Sequence, residues 1–157
     1  MKKTIITISR EFGSGGHFIG EEVAKRMNIP YYDKDIIFQI AEKTGYSESF
    51  IQEQSEYAPS KNLFAYAFVG RDRTGSSLSD QVYAAQTQVI RDLAQKGSCV
   101  IIGRCADYIL KDTEGIQLVR AFIYAPNDVR VHNIMESHNL SEKDAKLLLD
   151  EKDKRYH

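Results

Sequence analysis

Thr4–Gly20 reads TIITISREFGSGGHFIG. Thr4–Ser9 is β-branched and apolar, the pattern of a strand buried on both faces. Gly13, Ser14, Gly15 and Gly16 follow. Then Ile19, Val23, Ala24 and Met27 recur at helical spacing, with Glu21, Glu22, Lys25 and Arg26 on the opposite side. A strand that turns through glycines into a helix gathers backbone N–H groups at the positive end of the helix dipole. That layout grips phosphate. Glycine suits such a loop because it adopts positive φ and lets phosphate approach the backbone. Two phosphate fingerprints nevertheless fail. In GxxxxGK[ST], Gly16 stands where lysine belongs and His17 where the hydroxyl belongs. In GxGxxG, the last glycine falls on Phe18. A bare tight turn between strand and helix would use glycine too.

Outward from this stretch, strands and helices alternate. Ile29–Asp33, IPYYD, reads as a short second strand. Lys34–Lys43 reads as a helix stopped by Gly45, and Ser47–Glu56 as a further helix. Pro59–Ser79 is irregular yet rich in aromatics, which suggests a mobile lobe or helical insertion rather than a linker. Asp80–Lys96 is the longest helix. Cys99–Ile102 and Val119–Tyr124 are the third and fourth strands, and Asn127–Glu136 and Ser141–Tyr156 are helices. This alternation predicts an α/β fold with a parallel sheet and helices on both faces. No further strand is visible after Tyr124, so the natural chain is expected to continue past His157 into a closing strand.

The 157 residues suit one domain with one sizeable core. Formal net charge is −1, so overall charge gives no argument for nucleic acid or an anionic membrane as partner. The start MKKTIITIS is too short an apolar run for a signal peptide or a membrane span. Cys99 and Cys105 form no CxxC and read as reduced thiols of a cytoplasmic protein. His17, His132, His138 and His157 show no i, i+4 pairing, so no metal ligand set is read from the sequence.

Longer segments carry a resemblance. ISREFGSGGHFIGEEVAKRM, IPYYDKDII, VIIGRCADYIL, AFIYAPNDVRV and the terminal DEKDKR resemble, in order and spacing, the cytidylate kinase-like family of P-loop nucleoside monophosphate kinases. The lysine-less SREFGSGG loop is itself a habit of that branch. The resemblance implies a P-loop NTPase-like three-layer α/β/α sandwich with a parallel sheet, a helical lobe for the nucleoside monophosphate at about 34–80, and a basic lid beginning at about 141–157. It implies ATP and Mg2+, and CMP, dCMP or a related monophosphate as acceptor. A regulatory protein that binds nucleotide without catalysis is the alternative that Gly16 and His17 leave open.

Phosphoryl transfer is mostly positioning and charge neutralisation. Gly13, Ser14, Gly15, Gly16 and His17 can supply backbone donors. Arg10, Arg104 and Arg155 can supply charge that neutral His17 cannot. Arg10 could equally form a surface ion pair beside Glu11. Arg104 follows a buried strand and a glycine, at the sheet end where open α/β folds bind ligands; an exposed loop arginine is the plainer reading. The resemblance places Arg104 on the phosphates or acceptor. It places Asp33 beside the acceptor, where the carboxylate would orient it or hold a metal-bound water. As an alternative, Asp33 is simply a helix N-cap. Arg71 and Arg73, in GRDRTGSS, could grip an acceptor phosphate or base. Lys152, Lys154 and Arg155 match the basic lid. Ser47–Phe68 could pack on its own core or on a partner, which leaves a homo-oligomer open.

Overall fold

The computed structural model describes residues 2–47 and 78–156. The expected helix at 47–56, apart from Ser47, and the lobe at 59–79, apart from Leu78 and Ser79 at the start of a helix, lie outside the described residues, Arg71 and Arg73 with them. The elements in chain order are β1 (Lys3–Arg10), α1 (Gly16–Met27), β2 (Tyr31–Tyr32), α2 (Lys34–Thr44), α3 (Leu78–Lys96), β3 (Cys99–Ile102), α4 (Ala106–Leu110), β4 (Ile116–Ile123), α5 (Asn127–His138) and α6 (Glu142–Tyr156).

The four strands form one parallel sheet in the order β2-β3-β1-β4. Register sets Ile5 beside Cys99 and Ile8 beside Ile102, Arg10 beside Ile123, and Tyr31 beside Val100. Successive strand residues face opposite sides. Accordingly Ile5, Cys99 and Ile101 pack with Ile36, Ile40, Val89, Ile90 and Leu110 of α2, α3 and α4. Ile8, Val100 and Ile102 pack on the other side with Ala24 of α1. The result is a three-layer α/β/α sandwich. Every residue of β3 is buried, as its continuous apolar run requires of a central strand. Burial also pushes the Cys99 thiol up to about 11, so it stays protonated.

A third cluster joins α5 and α6 through Val131, Ile134, Ala145 and Leu149, with Phe12 against it. At its edge lies Arg130, only 2% exposed. A buried guanidinium needs acceptors on all sides. Its Nε donates to the Phe12 carbonyl at 2.8 Å. Its Nη1 reaches Asn127 Oδ1 and Asp153 Oδ2, both at 3.2 Å, and its Nη2 reaches Asp153 Oδ1 at 2.7 Å. Glu11 Oε2 lies 3.4 Å from Nη1. The arginine thereby ties the glycine loop to α5 and α6.

The structure departs from the sequence reading at particular elements. β4 starts at Ile116, three residues earlier than expected, and α4 was not foreseen. Ser141 caps α6, with its Oγ accepting from the Asp144 N–H at 3.2 Å. Asp153→Ala should destabilise the fold by roughly 3 kcal/mol, because it strands a buried cation. Denaturant unfolding checks this. Strict additivity with Arg130→Ala would show that the pair is not coupled.

Candidate active site

Three chain segments end together at the carboxyl edge of the sheet. β1 delivers Arg10, β2 leads into Asp33, and β3 leads through Gly103 to Arg104. In open α/β sheets ligands bind at this edge. The glycine loop crosses it between β1 and α1.

The loop is anchored on its outer side. The Glu11 N–H donates to the Ile123 carbonyl at 2.9 Å, and the Ser14 N–H to the Glu11 carbonyl at 3.1 Å. Asn133 Nδ2 donates to the Gly13 carbonyl at 2.8 Å. Gly15, at φ 85°, is the residue before α1, and a Cβ built there would meet nothing within 4 Å. Its left-handed conformation, not crowding, calls for glycine. α1 has no side-chain cap and no acid in its first turn. Its first N–H groups and its dipole are thus left to an anion. Ser14 Oγ is buried without a hydrogen-bond partner among the described residues, a polar atom that a bound phosphate or its water shell would satisfy.

Gly16 behaves differently from the other loop glycines. Its φ is not positive, so its backbone conformation does not require glycine. Space does: a Cβ at position 16 would stand 2.6 Å from Arg10 Cβ and 2.9 Å from Arg10 Cγ.

A polar chain runs across the mouth of the loop. His17 Nδ1 lies 2.8 Å from Asp33 Oδ2, and Arg10 Nη2 lies 3.4 Å from His17 Nε2. The Tyr31 hydroxyl is 3.4 Å from His17 Nδ1. In the neutral ring this pattern assigns the proton to Nδ1, which donates to Asp33 while Nε2 accepts from Arg10. Arg104 Nη2 lies 3.8 Å from Asp33 Oδ1, an ion pair longer than a hydrogen bond. Burial pushes the Asp33 carboxyl up. The hydrogen bond and charge interaction with His17, then the charges of Arg104 and Arg10, outweigh it and hold the carboxyl below its ordinary value. Tyr31 is pushed up to about 12 by burial and by Asp33 and Glu21.

Asp33 does precede α2, but its side chain makes no capping hydrogen bond. The carboxylate faces His17 and Arg104 instead. Arg104 is 4% exposed, which removes the reading as an exposed loop arginine. Its backbone is unusual: Gly103, Arg104 and Cys105 all have positive φ, at 62°, 62° and 59°. For the two non-glycine residues this costs about 1 kcal/mol each. Gln86, fully buried on α3, helps hold the turn by donating from Nε2 to the Arg104 carbonyl at 2.6 Å. Glu11, the sequence-level partner for Arg10, is engaged by Arg130. Arg155 falls within α6, its side chain outside the description, and Arg71 and Arg73 are outside the described residues.

Sequence reasoning missed Gln86, Arg130 and Asn133. The available signal was the i, i+3 placement of Arg130 and Asn133, which puts both on one face of α5. Among the described residues no group of three or more His, Cys, Asp or Glu is arranged to hold a metal ion. Nor is any helix there long and apolar enough to cross a membrane.

The profile of the cytidylate kinase-like family matches residues 5–157. The chain belongs to that family. No curated protein matches the sequence. Among solved structures, an uncharacterised protein from Eubacterium ventriosum is 29% identical, with TM-score 0.63, over 98% of this chain and 73% of that one. TT1252 from Thermus thermophilus is 18% identical, with TM-score 0.54, over 99% and 86%. The shikimate kinase of Bacteroides thetaiotaomicron is 14% identical, with TM-score 0.51, over 98% and 80%. The last two likenesses concern the fold. Family membership supports a nucleotide-kinase type of function, and kinases of this kind use ATP and Mg2+ in general.

Two measurements test the geometry. A carboxyl whose folded-state pKa is lowered contributes stability above its ordinary pKa and loses it as pH falls through the lowered value. Asp33→Asn should therefore melt below the wild type at neutral pH, with the gap closing in strong acid. A gap independent of pH would refute the ion-pair account. Gln86→Leu strands the Arg104 carbonyl and should cost about 1–3 kcal/mol in denaturant unfolding.

Proposed function

We propose that this protein is a nucleoside monophosphate kinase that moves the γ-phosphoryl group of ATP to CMP, dCMP or a related nucleotide. The observation that supports this most is the meeting of Arg10, His17, Asp33 and Arg104 beside the uncapped start of α1.

In this reading the Gly13–His17 backbone receives the donor phosphates, with Ser14 Oγ on a phosphate oxygen or its water. Arg104 neutralises charge on the transferred or accepting phosphate. Asp33 holds His17 and Arg104 in place and orients the acceptor. Arg71 and Arg73 grip the acceptor from the lobe, and Arg155 is brought in by the lid. Mg2+ prefers oxygen ligands, few of them from protein, and Asp33 with phosphate oxygens fits that demand. Held there, Mg2+ would supply positive charge that offsets that of the phosphates. The site lies at the edge of a sheet and not on a broad basic face, so a small nucleotide is the partner in this reading. The protein acts in the cytoplasm, without nucleic acid or membrane, and a homo-oligomer is compatible with it.

Glycine at position 16 favours one competing reading, a nucleotide-binding regulator without catalysis. Coupled detection of ADP with each common monophosphate separates the two. Transfer to a pyrimidine monophosphate supports the kinase. ATP binding with no transfer to any acceptor supports the regulator. If the kinase reading holds, Arg104→Met should lower kcat/KM about 10²–10³-fold, the range for loss of one transition-state charge donor. Unchanged catalytic efficiency would remove Arg104 from the mechanism.

A further inference from the structure

We propose that Arg10 performs, from the end of β1, the charge-neutralising role that lysine performs at position 16 of lysine-bearing phosphate loops, and that the stem of Arg10 is the reason position 16 is glycine. The inference rests on the phosphate-loop reading above and deepens it.

The steric half stands on the space around Gly16. This residue opens a regular helix, and its φ would accept a side chain. The path of such a side chain is filled by Arg10: Cβ at 2.6 Å, Cγ at 2.9 Å and Cδ at 3.5 Å from a built Cβ. The first two distances are too short for any carbon–carbon contact, and both obstructing atoms lie near the backbone, where a rotamer change gives little relief. Any side chain at 10, the arginine stem included, therefore excludes a side chain such as lysine at 16 in this loop.

The electrostatic half stands on where the stem leads. Having crossed Gly16, Arg10 sends its guanidinium to His17, the next residue of the helix's first turn, with Nη2 3.4 Å from Nε2. His17 is itself fixed at Nδ1 by Asp33. The imidazole thus acts as a spacer: it takes its orientation from the carboxylate and sets its Nε2 beside the arginine. The guanidinium is held beside the His17 side chain, in the first turn of α1, whose opening N–H groups have no side-chain cap. A phosphate seated on those N–H groups would meet a permanent positive charge with a planar fork of donors, suited to two phosphate oxygens at once. The plainer use for Arg10, a pair with neighbouring Glu11, competes with the hold that Arg130 has on that carboxylate.

Four variants of the full chain test this: Arg10→Gln, Arg10→Gly, Gly16→Lys and Arg10→Gly/Gly16→Lys. The readouts are affinity for MgATP and for inorganic tripolyphosphate by calorimetry, the melting temperature, and turnover. Arg10→Gln keeps most of the stem and removes the charge, so it should fold. It should weaken both ligands by about tenfold or more, the scale of a hydrogen bond to a charged group. Gly16→Lys should melt early and gain no affinity. The double variant, in which no Cβ or Cγ remains at position 10 to clash, should lose less stability than the two single variants together and bind both ligands more tightly than Arg10→Gly. Undiminished binding by Arg10→Gln overturns the proposal. So does a double variant that binds no better than Arg10→Gly, or a Gly16→Lys protein as stable as the wild type. Arg10-dependent binding without transfer to any monophosphate would sink the kinase reading and leave the role of Arg10 standing. Normal transfer with undiminished binding in Arg10→Gln would do the reverse.

Discussion

The Arg130 guanidinium is buried almost completely, and a buried cation must be surrounded by acceptors. Those acceptors come from three separate stretches: the Phe12 carbonyl in the glycine loop, Asn127 on its own helix α5, and Asp153 on α6. Satisfying one charge therefore fixes the mutual placement of three elements. Asn133 adds a second hold on the loop, at the Gly13 carbonyl. The Phe12 and Gly13 carbonyls are held by α5, while the first N–H groups of α1 carry no side-chain cap. The cradle is shaped from behind, before any ligand arrives, and a preformed cradle binds without first ordering itself.

On the inner side the site is organised by a shared carboxylate. Asp33 faces His17 with one oxygen and Arg104 with the other. Arg104 in turn sits on a left-handed turn whose carbonyl is held by Gln86 of α3. Gln86 thus links α3 to the arginine that follows β3. The strain in the turn is small beside the total stability of a domain, yet it aims a long charged side chain inward where a relaxed loop would let it point to water.

Much of this was legible in the sequence, and the failures have physical reasons. The continuous apolar runs of β1 and β3 announced buried parallel strands, and the glycines between β1 and α1 announced a phosphate loop. β4 was placed too late because its first residues, Ile116–Leu118, alternate with polar Gln117, as an edge strand does, and do not form a solid run. α4 is five residues long, too short to show helical periodicity. Asp33 and Arg104 could be singled out from their places after strands. Arg130 and Gln86 could not, because a polar residue on a helix usually faces solvent and its burial depends on neighbours distant in sequence. The reason for glycine at 16 was hidden in the same way. Sequence showed a missing lysine, whereas the cause is the stem of a side chain six residues earlier that folds back over the helix start.

That contact has a consequence for how such loops change over time. Two residues that exclude each other sterically form one heritable unit, and their substitutions cannot be additive. A lineage that first gains a side chain at position 16 meets the arginine stem. One that first loses the arginine gives up its cation before a replacement exists. Either intermediate is worse than the two end states it separates. Geometry thus couples the two positions: while a side chain at 10 lies across the helix start, no single substitution at 16 can introduce lysine without a clash.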